Sequence, residues 1–386
     1  MGTDRWFGVG SARSACVRAG ARAADEALLH DDAKLLVVFC SGAPDLRALV
    51  GEIRKRAGDV PLIGCTTAGE IAGTGPNDAS VVVAALGGAG FAVETAAATG
   101  ASADLRQAGA RVARCLPTRE DLPHKVLMVL SDGFAGNQQE IVRGAHGVLG
   151  SAVPLVGGCA GDELSMTETF QFHGDRVLTD SIVAAGIASD APIGIGVCHG
   201  WRRVGGPMLV TASAGNRVST LDDRPALDVY LERLNVDRFA RPSRDGLARL
   251  ALTHPFGLSR RDGDEVRFIS GADFAERSLS CIAEIPQGAL VWMMEGDASS
   301  VLDATDAACD DALAALDGRR PLGMFAFDCI ARRNVLGGEG IRAEIDRLAA
   351  AVPRTPVAGF YTYGEIARTR GLRGFHNQTL VVLALG

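Results

Sequence analysis

Three continuous apolar runs recur along the chain, and each opens the same longer pattern. The first is Leu35-Leu-Val-Val-Phe-Cys-Ser41-Gly, the second Val126-Leu-Met-Val-Leu-Ser-Asp132-Gly, and the third Leu322-Gly-Met-Phe-Ala-Phe-Asp328-Cys. None alternates apolar with polar residues, which is the pattern of a strand covered on both faces. Residues with helical spacing of apolar positions follow, as in Asp45–Ala57 and Gln138–Leu149. Next comes a Pro-x-x-Gly segment: Pro61-Leu-Ile-Gly-Cys-Thr-Thr-Ala-Gly-Glu-Ile71, Pro154-Leu-Val-Gly-Gly-Cys-Ala-Gly-Asp-Glu-Leu164 and Pro356-Val-Ala-Gly-Phe-Tyr-Thr-Tyr-Gly-Glu-Ile366. A further β-rich run closes each copy: Ala79–Leu86, Val177–Ile187 and Thr379–Leu385. Such a repeat reads as strand, helix, strand, glycine loop, strand, because a helix is the usual crossover between parallel strands. Chance likeness among β-α-β units is the alternative. The proline start and the glycine-acid end recurring together argue for repetition.

Between the second and third copies the pattern changes. Met208–Ser213 and Asn216–Leu221 read as antiparallel strands joined at Ala214-Gly215. Leu221-Asp-Asp-Arg-Pro225 offers acidic caps before a proline in the first turn of a helix through Asp228–Leu234. Val266–Ile269 and Leu290–Met294 read as strands, Gln287-Gly288 as a turn, and Ser300–Leu316 as a helix. Residues 1–30, rich in Arg and Ala, are expected to form a covering helical leader. The pattern predicts an α/β fold of mixed α and β elements, with repeated β-α-β units and mixed sheets. Two domains are expected, 31–222 with two copies and 223–386 with one.

Composition narrows the function classes. Apolar types make up 47% of 386 residues, which excludes a disordered chain. Glycine is 48 of 386, about 12% against an average near 7%, so turns and close backbone contacts are expected to be many. The net charge is −7, Lys is nearly absent and Arg is scattered, so neither nucleic acid nor an anionic membrane is an expected partner. No apolar run approaches the roughly 18 residues of a membrane-spanning helix. No secretory h-region follows Asp4 and Arg5, and none of the nine cysteines forms a C-x-x-C pair. Reduced thiols in the cytoplasm are the expectation.

Ligands of open α/β sheets bind outside the carboxyl ends of parallel strands. Both loops of each copy leave from such an end. Ser41-Gly42 is therefore expected beside Gly64–Glu70, Ser131-Asp132-Gly133 beside Gly157–Glu163, and Asp328-Cys329 beside Gly359–Glu365. Candidate ligand-binding positions are Thr66 and Glu70 in the first copy, and Asp132, Gly158 and Asp162 in the second. In the third they are Cys329, Arg332, Tyr361, Thr362, Gly364, Glu365, His376 and Asn377. Glycines let backbone N–H groups approach a ligand. The acid closing each loop can receive a cationic group or cap the next element. Cys329 has Arg332 and Arg333 close behind, and a nearby arginine lowers a thiol pKa; a buried, inert cysteine is the commoner outcome. Such an arginine can also pair with a ligand carboxylate. Cys65 and Cys159 read as packing residues. Metal signals are weak, with no H-E-x-x-H and no C-x-x-C-H; His173 and Cys198-His199 are lone candidates for an axial haem ligand, and a cysteine is another, whereas a lone histidine is more often structural or solvent-facing. No Gly-Lys-Ser/Thr loop and no Gly-x-Ser-x-Gly elbow is present, and no base lies near Cys329 in sequence, so an enzyme is not expected; one using Cys329 as nucleophile is the alternative.

At these residues the chain resembles the FIST family of paired FIST N and FIST C sensory domains. The likeness rests on Pro61–Glu70, Pro154–Asp162, Phe325-Ala-Phe-Asp-Cys-Ile-Ala-Arg-Arg-Asn-Val-Leu-Gly337, Pro356–Ile366 and His376-Asn-Gln-Thr-Leu380. The resemblance implies a small-ligand sensor in signal transduction, for amino-acid-like molecules. Some relatives look like haem proteins that sense nitric oxide, and others belong to F-box proteins. With no appended kinase, cyclase or F-box pattern, this chain would pass its signal to a separate partner such as a kinase or cyclase. A protein-interaction scaffold is a further alternative. Where relatives carry Ser-Cys at the strand end, this chain has Asp328-Cys329.

Overall fold

The computed structural model describes residues 4–73, 75–236, 244–260, 263–369 and 374–386. The repeat is present three times. The first unit runs β1 (Trp6–Ala12), α1 (Val17–Ala27), β2 (Ala33–Cys40), α2 (Leu46–Ala57), β3 (Leu62–Thr66), a hairpin of β4 (Glu70–Ala72) and β5 (Gly75–Asn77), then β6 (Val81–Gly87). The second repeats that order as β7 (Phe91–Thr99), α3 (Leu105–Val112), β8 (His124–Ser131), α4 (Gln139–Leu149), β9 (Leu155–Cys159), the hairpin β10 (Gln171–His173) and β11 (Arg176–Leu178), then β12 (Ser181–Ser189).

The third unit opens with β13 (Ile193–Cys198) and is then interrupted by an insert. The insert contains β14 (Arg202–Ala214), β15 (Arg217–Leu221), β16 (Arg224–Pro225), α5 (Ala226–Arg233) and α6 (Arg244–Thr253). It continues with β17 (Phe256–Arg260), β18 (Gly263–Arg267), β19 (Ile269–Asp273), β20 (Ser278–Cys281) and β21 (Leu290–Glu295). The unit then resumes with α7 (Ala298–Ala314), β22 (Gly323–Cys329), α8 (Ile330–Ala351), β23 (Val357–Thr362), the hairpin β24 (Glu365–Arg368) and β25 (Phe375–His376), and β26 (Leu380–Leu385).

Each unit keeps four strands in its own sheet and gives its hairpin to a neighbour. The sheets run β1-β6-β2-β3-β10-β11, β7-β12-β8-β9-β24-β25 and β13-β26-β22-β23-β4-β5. The first hairpin therefore extends the third sheet, the third extends the second, and the second extends the first. The central pairs β2–β3, β8–β9 and β22–β23 are parallel, as their helical crossovers require. One face of all three sheets packs into a shared core, where Phe7, Phe39, Phe325, Phe327 and Phe360 meet mostly edge to face. The opposite faces lie under helices: α1 and α2, α3 and α4, α7 and α8. The insert has its own core around Tyr230, Phe256 and Val291.

The recurring Pro-x-x-Gly has a packing cause. A Cβ on Gly64, Gly157 or Gly359 would stand 2.3, 2.0 or 1.9 Å from the carbonyl oxygen of Val38, Val129 or Ala326 on the adjacent strand. Nothing larger than hydrogen fits there.

Two local expectations change. The leader is not helical throughout: Trp6–Ala12 is a strand antiparallel to β6, and only Val17–Ala27 is the covering helix. Gly8 and Gly10, which disguise the strand in sequence, let the Ala27 and Ala23 carbonyls of α1 lie flat on it. The Asp222-Asp223 pair does not cap α5. Both residues adopt positive φ (48° and 59°) and form the two-residue turn of the β15–β16 hairpin, with Pro225 at the helix start and no side-chain cap.

Candidate functional site

Strand register aligns the units residue by residue. Cys40 faces Thr66, Ser131 faces Cys159 and Asp328 faces Tyr361. On the other side the same three residues face Val81, Ile182 and Leu380. Ser41, Asp132 and Cys329 are thus equivalent, and their amides donate to the Ser80, Ser181 and Thr379 carbonyls at 2.9–3.2 Å. The turn before each closing strand carries a left-handed residue at the same place: Ala79, Asp180 and Gln378, with φ of 48°, 43° and 54°.

The glycine loops converge as the strand ends require. Each loop docks on the central strands of a neighbouring unit. Ala68 N donates to the Tyr361 carbonyl at 3.0 Å, Tyr363 N to Cys159 at 3.2 Å, and Gly161 N to Thr66 at 3.0 Å. Ala68, Tyr363 and Gly161 are equivalent positions, so three corners surround the shared core.

Units one and three build the same buried acid. Glu70 accepts hydrogen bonds from Ser41 Oγ at 3.1 Å and from the Thr67 and Ser80 hydroxyls. Glu365 accepts from Thr362 Oγ1 at 2.5 Å and Thr379 N at 3.1 Å. In both loops the glycine before the acid donates its amide to the same threonine hydroxyl. Both carboxyls are fully buried. Burial pushes Glu70 up to about 7 despite its hydroxyl donors, and Glu365 up to about 8 despite Thr362, the Thr379 amide and Cys329. Unit two lacks this device: Ala160 replaces the threonine, and the equivalent acid, Glu163, is exposed.

The corners differ in what fills them. At unit three, Arg333 Nη1 donates to the Ala68 carbonyl at 2.7 Å and Nη2 to Asp78 at 2.8 Å. Its guanidinium lies 4.8 Å from the centre of the Tyr361 ring. At unit two, the Tyr363 ring packs against Gly133 and Phe134, and its hydroxyl donates to Asp162 while accepting from Leu164 N at 2.7 Å. At unit one, the equivalent of Tyr363 is Gly161, and a cavity of about 150 Å³ remains, lined by Ser41, Thr66, Thr67, Glu163, Glu168 and Phe170.

The other expected positions divide by role. Thr66 and Asp162 line the open corner. Asp162 also organises its loop, accepting from the amides of Met166, Thr167 and Glu168. Asp132 caps two turns through Phe134 N and Asp180 N. Gly158 faces Thr362, whose Cγ2 would lie 2.6 Å from a Cβ there, and Gly364 lies against Phe375. His376 is bonded to the Ala367 carbonyl at 2.9 Å. The Asn377 amide is buried with neither atom hydrogen-bonded to a described residue. Tyr361 lies under Arg333, its hydroxyl without a described partner.

Arg332 does not face a guest. It lies fully buried between Asp328 and Glu344, with both ion pairs at 2.6 Å, and donates to Thr305 at 3.0 Å. Burial, then the Glu344 charge, pushes the Asp328 carboxyl up. The Cys329 thiol is likewise pushed up by burial and by Glu365, the reverse of the activation an arginine neighbour suggested. His199 Nδ1 accepts from Trp201 N at 3.0 Å, and burial lowers the ring to about 4. His173 shares a bond with Thr95 Oγ1 at 3.2 Å. Neither ring lines the open corner, and no group of metal-binding side chains occurs among the described residues. No helix among them is long and apolar enough to cross a membrane.

Sequence reasoning missed Glu168, Phe170, Glu344 and Asp78. Glu168 and Phe170 sit on the long second loop, whose only sequence signal is its departure from the Thr-x-Gly-Glu pattern of the other two. A larger cavity of about 710 Å³ lies in the insert beside Leu247, Ile269 and Phe274, and no expected site residue lines it.

The FIST N domain family model matches residues 34–224 and the FIST C domain model residues 226–368. An uncharacterized protein of Mycobacterium bovis is 26% identical over 380 residues, covering 95% of this chain and 94% of its own. One from Mycobacterium tuberculosis is 24% identical over 391 residues, covering 97% of each. Among solved structures, T. maritima PurL complexed with ADP overlays at a TM-score of 0.24 and 10% identity, across 98% of this chain and 71% of that one. That overlay is too loose to bear on the fold.

Proposed function

Because this chain belongs to the FIST family, whose domains are sensory modules of signal transduction, we propose that it senses a small polar ligand held at the open corner between units one and two. A family likeness alone does not assign a site. The observation that carries the reading is the inequality of three equivalent corners: Tyr363 fills one, Arg333 fills another, and Gly161 leaves the third vacant. At about 150 Å³ the cavity is smaller than the roughly 300–1,000 Å³ of common ligand pockets, so it suits a very small molecule or one end of a larger one. The Ser41, Thr66 and Thr67 hydroxyls give it directional partners.

The ligand acts by changing the loop of unit two. Glu163, Leu164 and Met166 all hold positive φ, a conformation costly for such side chains, and Leu164 and Met166 are exposed. A guest touching Glu163 and Glu168 bears directly on that segment. The protein works in the cytoplasm as a binding module without catalysis, and a separate kinase or cyclase reads the state of the loop. The raised, buried Cys329 thiol supports binding over covalent chemistry.

The test is a thermal-shift screen of polar metabolites against the full chain and against Ala43→Phe, which places a ring at the cavity wall. A hit that stabilises the native chain by several degrees and is lost in Ala43→Phe is expected. A hit that survives the substitution places the site elsewhere.

A further inference from the structure

Resting on the ligand reading above, we infer that the guest of the open corner presents a cationic group, a guanidinium or a primary ammonium. The molecule itself supplies the precedent. At the equivalent corner of unit three, the group seated between strand end and loop is a guanidinium, that of Arg333. It is held in three ways: by the carbonyl of Ala68, by the carboxylate of Asp78, and by the face of Tyr361. These are the contacts a planar cation uses.

The open corner offers the same kinds of partner. Gly161 occupies the position of Ala68, Phe170 brings an aromatic ring, and Glu163 and Glu168 bring carboxylates. No basic side chain lines the cavity among the described residues. Among the described residues no ion pair forms at Glu163 or Glu168, whereas Asp162 already accepts from its own loop and from the Tyr363 hydroxyl. Two exposed carboxylates without a cation, beside a vacancy, offer the kinds of contact that hold Arg333 at unit three, where the single carboxylate of Asp78 serves. The hydroxyls of Ser41 and Thr66 can accept further N–H bonds from such a guest. An anionic guest would meet the same two carboxylates and be repelled.

Calorimetry decides between these outcomes. The probes are agmatine and putrescine as cations, glutarate as a dianion and glycerol as a neutral polyol. Each is titrated into the full chain and into the double variant Glu163→Gln/Glu168→Gln, both positions being exposed, with its thermal transition recorded beside that of the native chain. Binding of agmatine or putrescine, weakened at least tenfold in the double variant and unchanged by Glu276→Gln in the insert, supports the inference. Cation binding that the double variant leaves unchanged overturns it, and so does binding of glutarate or glycerol alone. In the latter case the ligand reading stands and only the charge assignment fails. Silence from every probe, repeated with the wider metabolite screen, removes the ligand reading and the inference together.

Discussion

The two buried glutamates set the pH response of the fold. An unfolded glutamate titrates near pH 4.3, whereas burial lifts Glu70 to about 7 and Glu365 to about 8. Between those limits the folded chain holds protons that the unfolded chain has released. Their contribution is therefore complete below about pH 4 and is lost as pH rises through 7 and 8, with a slope approaching 1.4 kcal/mol per pH unit for each proton. Urea unfolding at pH 5.5 and pH 8.5 should show lower stability at the higher pH. Glu70→Gln, a neutral isostere among the same three hydroxyls, should reduce that difference by roughly two fifths, the rest belonging to Glu365. His199, His173 and His376, held neutral by burial, work in the opposite direction between pH 5.5 and 7, so the variant decides: a pH dependence that Glu70→Gln leaves unchanged would show that carboxyl to be charged in the native state. Glu365 and Glu70 were both legible as candidates, because an acid after a glycine stands out in a loop. Their confinement was not, because Ser80 and Thr379 approach from the turn before the closing strand, 10 and 14 residues later.

At the scale of the element, the decisive residues are glycines, and their spacing in sequence does not reveal which ones matter. Gly359 lies where β23 crosses β22 so closely that a methyl group would meet the Ala326 carbonyl at 1.9 Å. Gly51, within α2, has nothing within 4 Å of its missing side chain. The same change should therefore have opposite signs at the two places. Gly359→Ala is expected to destabilise by about 3 kcal/mol or more by prying the parallel pair apart, and Gly51→Ala to stabilise by up to about 1 kcal/mol through helix propensity. Denaturation midpoints of the two variants check this. The central strands and crossover helices were legible because buried apolar runs and helical spacing are properties of contiguous residues. The strand Trp6–Ala12 was not, because its glycines record contact with α1 rather than strand propensity. The Asp222-Asp223 turn was misread because an acid before a proline serves equally as a helix cap or as a hairpin turn, and only the pairing of Leu221 with Arg224 decides.

At the scale of the molecule, the exchange of hairpins ties the two family-defined halves into one structure. β4 pairs with β23, β9 with β24, and β13 with β26, so every one of these contacts crosses the position near 225 where the FIST N and FIST C matches meet. Local periodicity cannot report such pairing, since a hairpin looks alike whether it extends its own sheet or a neighbour's. The consequence is specific. A fragment of residues 1–222 keeps the first two units but leaves β4, β9 and β13 each without its partner from the second half, and removes Phe325, Phe327 and Phe360 from the shared core. Unpaired edges beside an open apolar face favour aggregation over folding. The fragment alone should therefore lack a cooperative thermal transition and should bind a hydrophobic dye. Co-expressed with residues 223–386, it should copurify as a one-to-one complex with a cooperative transition. The isolated fragment folding as a monomer with the stability of the intact chain would show that the hairpin exchange is dispensable, and the corners it creates would then lose their claim to be a common feature of the three units.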